Sequence, residues 1–239
     1  MTAHGLIDTT EMYLRTVFEL EEEGIVPLRA RIAERLSQSG PTVSQTVARM
    51  ERDGLLRVEG DRQLALSATG RTLATRVMRK HRLAECLLVD VIGLPWEEVH
   101  IEACRWEHVI SDSVERRLVE LLEYPVRCPH GNIIPGLDEL GVPAEATKRA
   151  VAAGREHAVA MTKIATAHAA AVVVQRISEQ VQSDATLMLK LKSIGIQPGR
   201  EVTLAVSDDG VRVTGADRVG GQAAELPRQV AAHVFVTRT

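Results

Sequence analysis

Apolar residues recur every three or four positions in three stretches near the start of the chain, which is the spacing of one helix face. The three stretches are residues 9–23, 28–36 and 42–53. The third begins after Pro41 and ends at Gly54, as helices prefer. Two short alternating runs follow, at residues 55–59 and 63–67, and predict a β-hairpin. The order helix, helix, tight turn, helix and hairpin predicts a winged helix-turn-helix.

The middle of the chain predicts two further helices. Residues 70–92 carry a helical apolar pattern, and Gly93-Leu-Pro95 interrupts it before a second pattern at residues 96–122. Residues 124–142 are rich in Pro and Gly and predict an ordered loop with a short helix. We expect a linker over residues 143–167, which are rich in Ala and charged residues.

The last part of the chain alternates between apolar and polar positions and predicts short strands. The predicted strands are residues 171–177, 201–206, 211–214 and 233–237. With turns at Pro198-Gly199 and Asp208-Asp209-Gly210, this is typical of a small β-barrel or sandwich. The expected fold is therefore mainly α with small β parts. The expected domains are residues 1–75 (winged helix-turn-helix), 76–142 (helical), 143–167 (linker) and 168–239 (β).

Charge is distributed unevenly along the first eighty residues. The whole chain has a net charge of -3, which taken alone argues against a nucleic-acid binder. Residues 27–80 nevertheless hold eleven Lys and Arg against five Asp and Glu, a net charge of +6, whereas residues 1–26 carry −5. The positive part is the predicted helix-turn-helix and wing, so we expect it to face double-stranded DNA.

Composition is that of an ordinary globular protein, with 45% hydrophobic and 26% charged residues. The three cysteines, Cys86, Cys104 and Cys128, are not spaced like a disulfide framework, which favours a reducing compartment. The first residues lack the pattern of a signal peptide, and no apolar stretch approaches the length of a bilayer span. We expect a cytoplasmic protein that has no membrane partner.

Cys104, Glu107 and His108 fall at positions i, i+3 and i+4, which share one face of a helix. A thiolate, a carboxylate and an imidazole on one face suit a first-row divalent metal. The alternative is a buried cysteine beside a surface Glu–His pair. His81 and Glu85, at i and i+4 of the preceding predicted helix, leave a similar choice between a metal site and a surface ion pair.

Several runs of this sequence resemble one family closely. They are Asp8-Thr-Thr-Glu-Met12, Pro27-Leu-Arg-Ala-Arg-Ile, Ser39-Gly-Pro-Thr-Val-Ser-Gln-Thr, Val77-Met-Arg-Lys-His81, Glu102-Ala-Cys-Arg-Trp-Glu-His108 and Pro135-Gly-Leu-Asp-Glu-Leu-Gly141. From about residue 7 to residue 142 the chain is similar to the diphtheria toxin repressor family of iron-dependent regulators. Beyond residue 143 the likeness fades to a pattern.

The resemblance implies a winged-helix domain, a helical dimerisation and metal-binding domain, and a C-terminal SH3-like β-barrel. It assigns an activating metal site to Met12, Cys104, Glu107 and His108. It assigns an ancillary site to His81, Glu85, His100 and, from the C-terminal domain, Glu179 and Gln182. By residue type alone, a Met on a helix face such as Met12 is more often a core residue than a ligand.

The resemblance also implies which residues contact DNA. Ser39, Pro41 and Gln45 are the positions that approach base edges; Gln45 can hydrogen-bond adenine, whereas Pro41 can make only apolar contact. The positions that hold phosphates are Thr9, Arg29, Ala30, Thr42, Ser44, Arg49, Arg52 and Arg62. By this resemblance the chain is expected to bind palindromic operators as a homodimer, two dimers per operator, and to repress iron-acquisition genes when iron is plentiful.

Cys104 bears on the choice of metal. A thiolate favours Fe2+, because Mn2+ prefers oxygen ligands, and Co2+, Ni2+, Zn2+ or Mn2+ is expected to substitute in vitro. A manganese- or zinc-responsive repressor of the same architecture is the alternative. A metalloenzyme would need an open coordination position, a general base and a cleft. The sequence has no motif beyond the ligands, so we expect no enzyme activity.

Two further cysteines lie near these ligands in the sequence. Cys86 follows Glu85 but falls on a different helix face, and we expect it in the core. Cys128-Pro-His130 offers two ligand types, which are too few to define a metal site. The family usually has other residues at both positions, so this segment is predicted to be an ordinary loop.

Overall fold

We analysed a computed structural model that describes residues 3–143, 145, 148, 149, 152, 158–215 and 223–239, with side chains from residue 9 onward. The chain divides into two compact units. The first unit is formed by residues 1–81 and 106–110, and the second by residues 82–105 and 111–239. The domain boundaries expected from the sequence stay a prediction.

The first unit contains the predicted order of helices and hairpin. Its elements are α1 (Ala3–Glu22), α2 (Arg29–Arg35), α3 (Gly40–Arg52), β1 (Leu56–Val58), β2 (Leu64–Leu66) and the greater part of α4 (Ala68–Cys86). The side chain of Ser39 caps α3 by accepting a hydrogen bond from the backbone N–H of Thr42, and Pro41 lies in the first turn. Gly54 follows this helix with a φ of 72°, where a residue with a side chain would be strained. These local signals explain why α3, Gly40–Arg52, begins and ends within two residues of the predicted stretch 42–53.

A single apolar core joins these elements. It is built from one face of each helix and the inward residues of the hairpin: Tyr13, Leu14, Val17, Phe18, Leu20, Ile32, Val43, Val47, Met50, Leu56, Leu64, Leu66, Ala74 and Met78. The hairpin is also tied to the loop after α1, because the N–H of Leu64 donates to the carbonyl of Pro27 over 2.9 Å. The winged helix-turn-helix expected from the sequence is confirmed.

The second unit begins with the end of α4, which continues into a wider π-helical turn, Leu87–Ile92, and ends at Gly93. Two helices follow, α5 (Val99–Trp106) and α6 (Asp112–Leu121). The prediction of one helix over residues 96–122 was therefore wrong. The chain leaves the helix after Trp106, and the side chain of Ser111 starts α6 by accepting a hydrogen bond from the N–H of Val114.

The C-terminal part of this unit is a six-stranded antiparallel sheet in the order β3-β8-β4-β5-β6-β7. Its strands are β3 (Val159–Ala160), β4 (Ala170–Ile177), β5 (Glu201–Ser207), β6 (Gly210–Gly215), β7 (Ala224–Pro227) and β8 (Val234–Arg238). Short helices connect them: α7 (Met161–Ile164), α8 (Glu179–Gln182), α9 (Ala185–Ser193) and α10 (Arg228–Ala231). The four predicted strands are confirmed, whereas β3 and β7 are too short to show a clear alternation.

The stretch expected to be a linker, residues 143–167, lies partly outside the described residues. Its last part forms β3 and α7, because Val159 and Ala160 pair with β8. Among the described residues, no helix is both long enough and apolar enough to cross a lipid bilayer.

Gly70 is required by the close approach of α4 to the segment before the hairpin. A Cβ atom at this position would lie 1.9 Å from the carbonyl oxygen of Leu55, which is backbone and cannot rotate away. We expect Gly70→Ala to lower the free energy of unfolding by about 2 kcal/mol or more, as overpacking does. Urea denaturation measures this loss. Gly60→Ala is the control, because a Cβ there meets no described atom within 4 Å, and an equal loss in both variants would contradict the assignment.

Candidate metal centre and DNA-binding residues

The predicted base-reading residues lie on the solvent-exposed side of α3 and its cap. Val43, Val47 and Met50 are buried and orient the helix. The residues Ser39, Pro41, Thr42, Ser44 and Gln45 are all exposed. The apolar face of α3 therefore leaves its polar face available to a major groove, which is how a helix-turn-helix reads bases.

The predicted phosphate-binding residues are also accessible in varying degrees. Ala30, Arg52 and Arg62 are exposed, whereas Thr9, Arg29 and Arg49 are half-buried. Arg62 lies in the hairpin turn with a φ of 67°, a left-handed conformation that is uncommon for a residue with a side chain. Its N–H donates to the carbonyl of Glu59 over 2.9 Å, which closes the tip of the wing.

Glu107 is a buried carboxylate of the first unit that is paired with Arg15 and His81. It lies in the turn after α5, and its carboxylate is almost completely buried. Arg15 Nη1 lies 2.9 Å from Oε1 and 2.7 Å from Oε2, and His81 Nδ1 lies 2.6 Å from Oε2. Burial by itself raises the pKa of Glu107, but the charge of Arg15 and the hydrogen bond from His81 outweigh it and lower the pKa to about 2.

His108 lies beside this carboxylate. Its Nδ1 donates to Glu11 Oε2 over 2.5 Å, and its Nε2 is 3.3 Å from Glu107 Oε1. Met12, the next residue of α1, has an exposed fraction of 36%, so it does not belong to the core of this unit. Glu11 and Arg15 were not predicted as part of the site. They sit on α1 beside Met12, and nothing in their spacing distinguishes them from an ordinary helix surface.

The helix that carries Cys104 ends before the other two predicted ligands of its cluster. Cys104 lies in the last turn of α5, whereas Glu107 and His108 lie in the turn that follows the helix. The three side chains therefore do not share a helix face. The carbonyl of Trp106 closes this turn by accepting hydrogen bonds from the N–H groups of Val109 and Ile110.

The second unit buries a cluster of predicted ligands. His100 Nδ1 lies 3.5 Å from Glu85 Oε1, and His100 Nε2 lies 3.5 Å from the Sγ of Cys104. Glu85 and His100 of this unit and His81 of the first unit are all buried, which excludes the alternative of a surface ion pair between His81 and Glu85. Residues assigned to different metal sites are in contact: His81 with Glu107 in the first unit, and His100 with Cys104 in the second.

Glu179 and Gln182 lie on the short helix α8 and are both buried. Arg82 donates to Glu179 Oε1 from Nε over 3.0 Å and from Nη2 over 2.7 Å. Gln182 donates to the carbonyl of Ile177 over 2.8 Å, but its side-chain oxygen is buried without a hydrogen-bond partner among the described residues. An unsatisfied buried amide oxygen is costly, and a cation is one group that would satisfy it.

A further buried group of ligand types was not predicted. The ligand atoms of Glu85, Cys128 and His130 all lie within 4.8 Å of one another, and His130 Nδ1 is 3.2 Å from Glu85 Oε1. Burial raises the pKa of the Cys128 thiol, and the charge of Glu85 raises it further. The sequence signal was only the pair Cys128-Pro-His130. The expectation that Cys86 is core is confirmed.

The possible metal ligands described above are of the types that bind a divalent cation. They combine buried carboxylates, imidazoles and a thiol, and they include the unsatisfied oxygen of Gln182. Such mixed sets bind first-row metals in the divalent state. A winged helix-turn-helix with these residues defines a metal-responsive DNA-binding protein.

Two family models match the chain. One is described as the iron dependent repressor N-terminal DNA binding domain and matches residues 5–64. The other is described as the iron dependent repressor metal binding and dimerisation domain and matches residues 67–136.

Curated relatives agree with these matches. The iron-dependent repressor IdeR of Mycobacterium tuberculosis (strain ATCC 25618 / H37Rv) is 61% identical over 205 residues, which cover 86% of this chain and 87% of that protein. The diphtheria toxin repressor of Corynebacterium diphtheriae is 57% identical over 206 residues, which cover 85% of this chain and 87% of that protein. The chain belongs to the diphtheria toxin repressor family of iron-dependent repressors.

Solved structures of regulators share the fold. A manganese-dependent transcriptional repressor in complex with manganese has a TM-score of 0.76 at 27% identity and covers 96% of this chain and 100% of its own. The IdeR of T. acidophilum has a TM-score of 0.72 at 27% identity, with 96% and 97% covered. The chain is a metal-activated transcriptional repressor, a DNA-binding homodimer with a divalent metal cofactor, and it is not an enzyme.

The ion pairs of Glu107 predict a measurable loss of stability. Glu107→Gln keeps the shape of the side chain but removes the charge that compensates Arg15, so we expect the metal-free protein to lose about 3 kcal/mol at neutral pH. Glu102→Gln, which removes the exposed i,i+3 partner of Arg105, is the control and should cost about 0.5 kcal/mol or less. Urea unfolding in the presence of a chelator measures both. Equal losses would contradict the assignment.

The same variant predicts a pH dependence. The pKa of Glu107 is lower in the folded protein, about 2, than its ordinary value of 4.5. The stabilisation is therefore fully present above pH 4.5 and is lost as the pH falls towards 2. The difference in unfolding free energy between the wild type and Glu107→Gln should shrink over this interval. A constant difference would show that the charge of Glu107 is not its source.

Proposed function

We propose that the chain is an Fe2+-activated repressor that binds palindromic operators as a homodimer, with two dimers on one operator. It represses iron-acquisition genes when iron is plentiful, in the cytoplasm, where the chromosome is. The observation that carries the choice of iron is the sulfur donor Cys104, because a thiolate favours Fe2+ over Mn2+. The names of the relatives at 57–61% identity support the same choice.

The activating metal is proposed to be held by Met12, Cys104, Glu107 and His108. The ancillary metal is proposed to be held by His81, Glu85, His100, Glu179 and Gln182. When bound, the cation supplies positive charge next to buried carboxylate and sulfur donors, which favours their ionised forms. The residue types of both groups support these assignments, because carboxylates, imidazoles and a thiolate are donors that bind first-row divalent metals.

Arg15 is paired with the proposed ligand Glu107. Its guanidinium donates to both carboxylate oxygens, so it compensates the charge of Glu107 in the structure. To ligate a cation, Glu107 must share or release these hydrogen bonds. Arg15 keeps a second partner, since its Nε donates to Glu19 Oε1 over 2.6 Å. Release of Glu107 therefore leaves Arg15 paired within α1.

The link from metal to DNA runs through α1. This helix carries Met12, a proposed ligand, and Thr9, a proposed phosphate contact, less than one turn apart. Whatever fixes the position of Met12 therefore fixes the backbone at Thr9. The metal shifts DNA binding only by its difference in affinity between the competent and incompetent arrangements, and a tenfold gain needs about 1.4 kcal/mol of coupling.

The proposed DNA contacts predict two different effects. Gln45→Ala should weaken operator binding by about 1–3 kcal/mol and relax the preference at one base pair. Arg52→Ala should weaken binding to all sequences alike and reduce the dependence on log salt by about one. Fluorescence anisotropy with operator variants at several salt concentrations measures both.

The control for these variants is Arg117→Ala. Arg117 is an exposed arginine of α6, paired with Glu120 and outside the helix-turn-helix and wing. The substitution Arg117→Ala changes the net charge by the same amount as Arg52→Ala and should leave operator binding almost unchanged. Loss of binding in this control, or an unaltered base preference in Gln45→Ala, would contradict the proposed reading helix.

The metal dependence is tested by binding to an iron-box-type operator under anaerobic conditions. The wild type should bind only when Fe2+ is present, and Cys104→Ala should lose this response because the thiolate ligand is gone. Cys86→Ala is the matched control, since Cys86 is also a cysteine outside any disulfide but is a core residue. Tight binding without metal, or a normal response in Cys104→Ala, would contradict the proposed switch.

A manganese-responsive repressor is the second candidate. The structural similarity to a manganese-dependent transcriptional repressor favours it. The same anaerobic titration decides between the two metals. An iron regulator should reach half-maximal DNA binding at a free Fe2+ concentration about tenfold or more below that of Mn2+, and the reverse order would favour manganese.

A further inference from the structure

Glu85, Cys128 and His130 form a second cluster of possible metal ligands in the second unit. Of the three, only Glu85 is among the nine ligands proposed above. Cys128 and His130 belong to the loop before the sheet, and Glu85 belongs to α4. All three side chains are buried, and their ligand atoms lie within 4.8 Å of one another. Exposed acidic clusters occur without metal ions, but a buried set of sulfur, nitrogen and oxygen donors is far more restricted.

The hydrogen bonds of His130 show which ring nitrogen carries the proton. Nε2 lies 3.2 Å from the carbonyl oxygen of Trp96, so it must donate and is protonated. In the neutral ring, Nδ1 is then an acceptor, and it lies 3.2 Å from Glu85 Oε1, which is also an acceptor. Nδ1 makes no well-formed hydrogen bond among the described residues. Two acceptors at this distance need a cation or a proton between them.

The backbone holds Cys128 and His130 in place. The N–H of Gly131 donates to the carbonyl of Cys128 over 2.8 Å, which closes a tight turn. The carbonyl of His130 accepts a hydrogen bond from the N–H of Ile177 in β4 over 2.9 Å. Gly131 has a φ of 85°, and a Cβ there would lie 2.0 Å from the carbonyl oxygen of Gln175. The turn is therefore anchored to the sheet and presents its side chains on a rigid support.

The environment of His130 resembles that of metal-bound histidines in other respects. A ligating histidine commonly donates its second ring N–H to a backbone carbonyl, which fixes the tautomer. The ring also packs against Trp96, with centroids 4.8 Å apart, and the indole N–H of Trp96 donates to the carbonyl of Pro129 over 3.0 Å. These contacts fix the orientation of the imidazole towards Glu85.

The geometry points to an additional metal site formed by Glu85, Cys128 and His130, which binds a divalent cation of the zinc class. The ligand atoms around a tetrahedral zinc ion are separated by about 3–4 Å. The ligand atoms of Glu85, Cys128 and His130 therefore need to move by about 1 Å to bind one ion together. The site shares Glu85 with the proposed ancillary set and is independent of which metal activates DNA binding. It goes beyond the proposed function, since Cys128 and His130 belong to neither of the two metal sites proposed there.

The test uses the full-length chain with Cys128 as its only cysteine. The sequence has three cysteines, so Cys86→Ala combined with Cys104→Ala removes the other two. Anaerobic titration with Co2+ should then give a saturable thiolate-to-cobalt charge-transfer absorption of one equivalent, which Zn2+ should displace. The ancillary ligands contain no thiol, so cobalt bound there does not contribute to this band.

The controls separate Cys128 from its surroundings. Adding Cys128→Ala should abolish the absorption, and adding His130→Asn should weaken cobalt binding about tenfold or more. Circular dichroism checks that each variant is folded. Absence of the charge-transfer band at saturating Co2+ in the folded protein would overturn the proposal, and so would unchanged affinity in the His130→Asn protein.

A second comparison covers the case in which the chain with one cysteine does not fold. The wild type has two proposed thiolate ligands, Cys104 and Cys128, so a single Cys128→Ser substitution should reduce its cobalt charge-transfer absorption by about half. Cys86→Ser, the control at a buried cysteine of the same core cluster, should not change it. An unchanged absorption in Cys128→Ser would overturn the proposal.

Discussion

The buried carboxylate of Glu107 is the constraint on which the first unit depends. An isolated negative charge cannot be buried without a partner, and three segments meet to supply one: Arg15 from α1, His81 from α4, and the turn after α5 that carries Glu107 itself. The same contact that stabilises the unit also occupies a proposed metal ligand. Stability in the metal-free protein and readiness to bind metal therefore oppose each other at one side chain, which is a physical basis for a switch.

The second unit also buries polar and charged side chains, but it pairs them in several separate places. Its buried polar residues are distributed around α4, the loop before the sheet and α8, and each is oriented by a neighbour: Glu179 by Arg82, Gln182 by the carbonyl of Ile177, and His130 by the carbonyl of Trp96. Atoms left without hydrogen bonds, such as the side-chain oxygen of Gln182, mark where the protein alone does not satisfy its polar groups. Cation binding at the proposed ligands would therefore be coupled to the packing of this unit.

Much of the fold could be predicted from local signals. Pro41 and Gly54 defined α3, and alternation defined β4, β5, β6 and β8, because these signals act within a few residues. The continuous helix over residues 96–122 could not be corrected from periodicity, since its apolar spacing carries on across the turn. Only the capping side chain of Ser111 marks the second start, and a single serine is a weak signal.

The sequence by itself determined the winged helix-turn-helix and the basic character of residues 27–80, because spacing and residue types are properties of the chain, whereas the full set of proposed ligands came from its resemblance to the family. Only the tertiary structure decided which of these residues are buried and which partners they meet. The pairing of Arg15 with Glu107, 92 positions apart, and the approach of Glu85 to Cys128 and His130 have no local signature. Contacts between distant segments depend on how packed elements bring side chains together, and a buried charge reveals its partner only when the whole unit has folded.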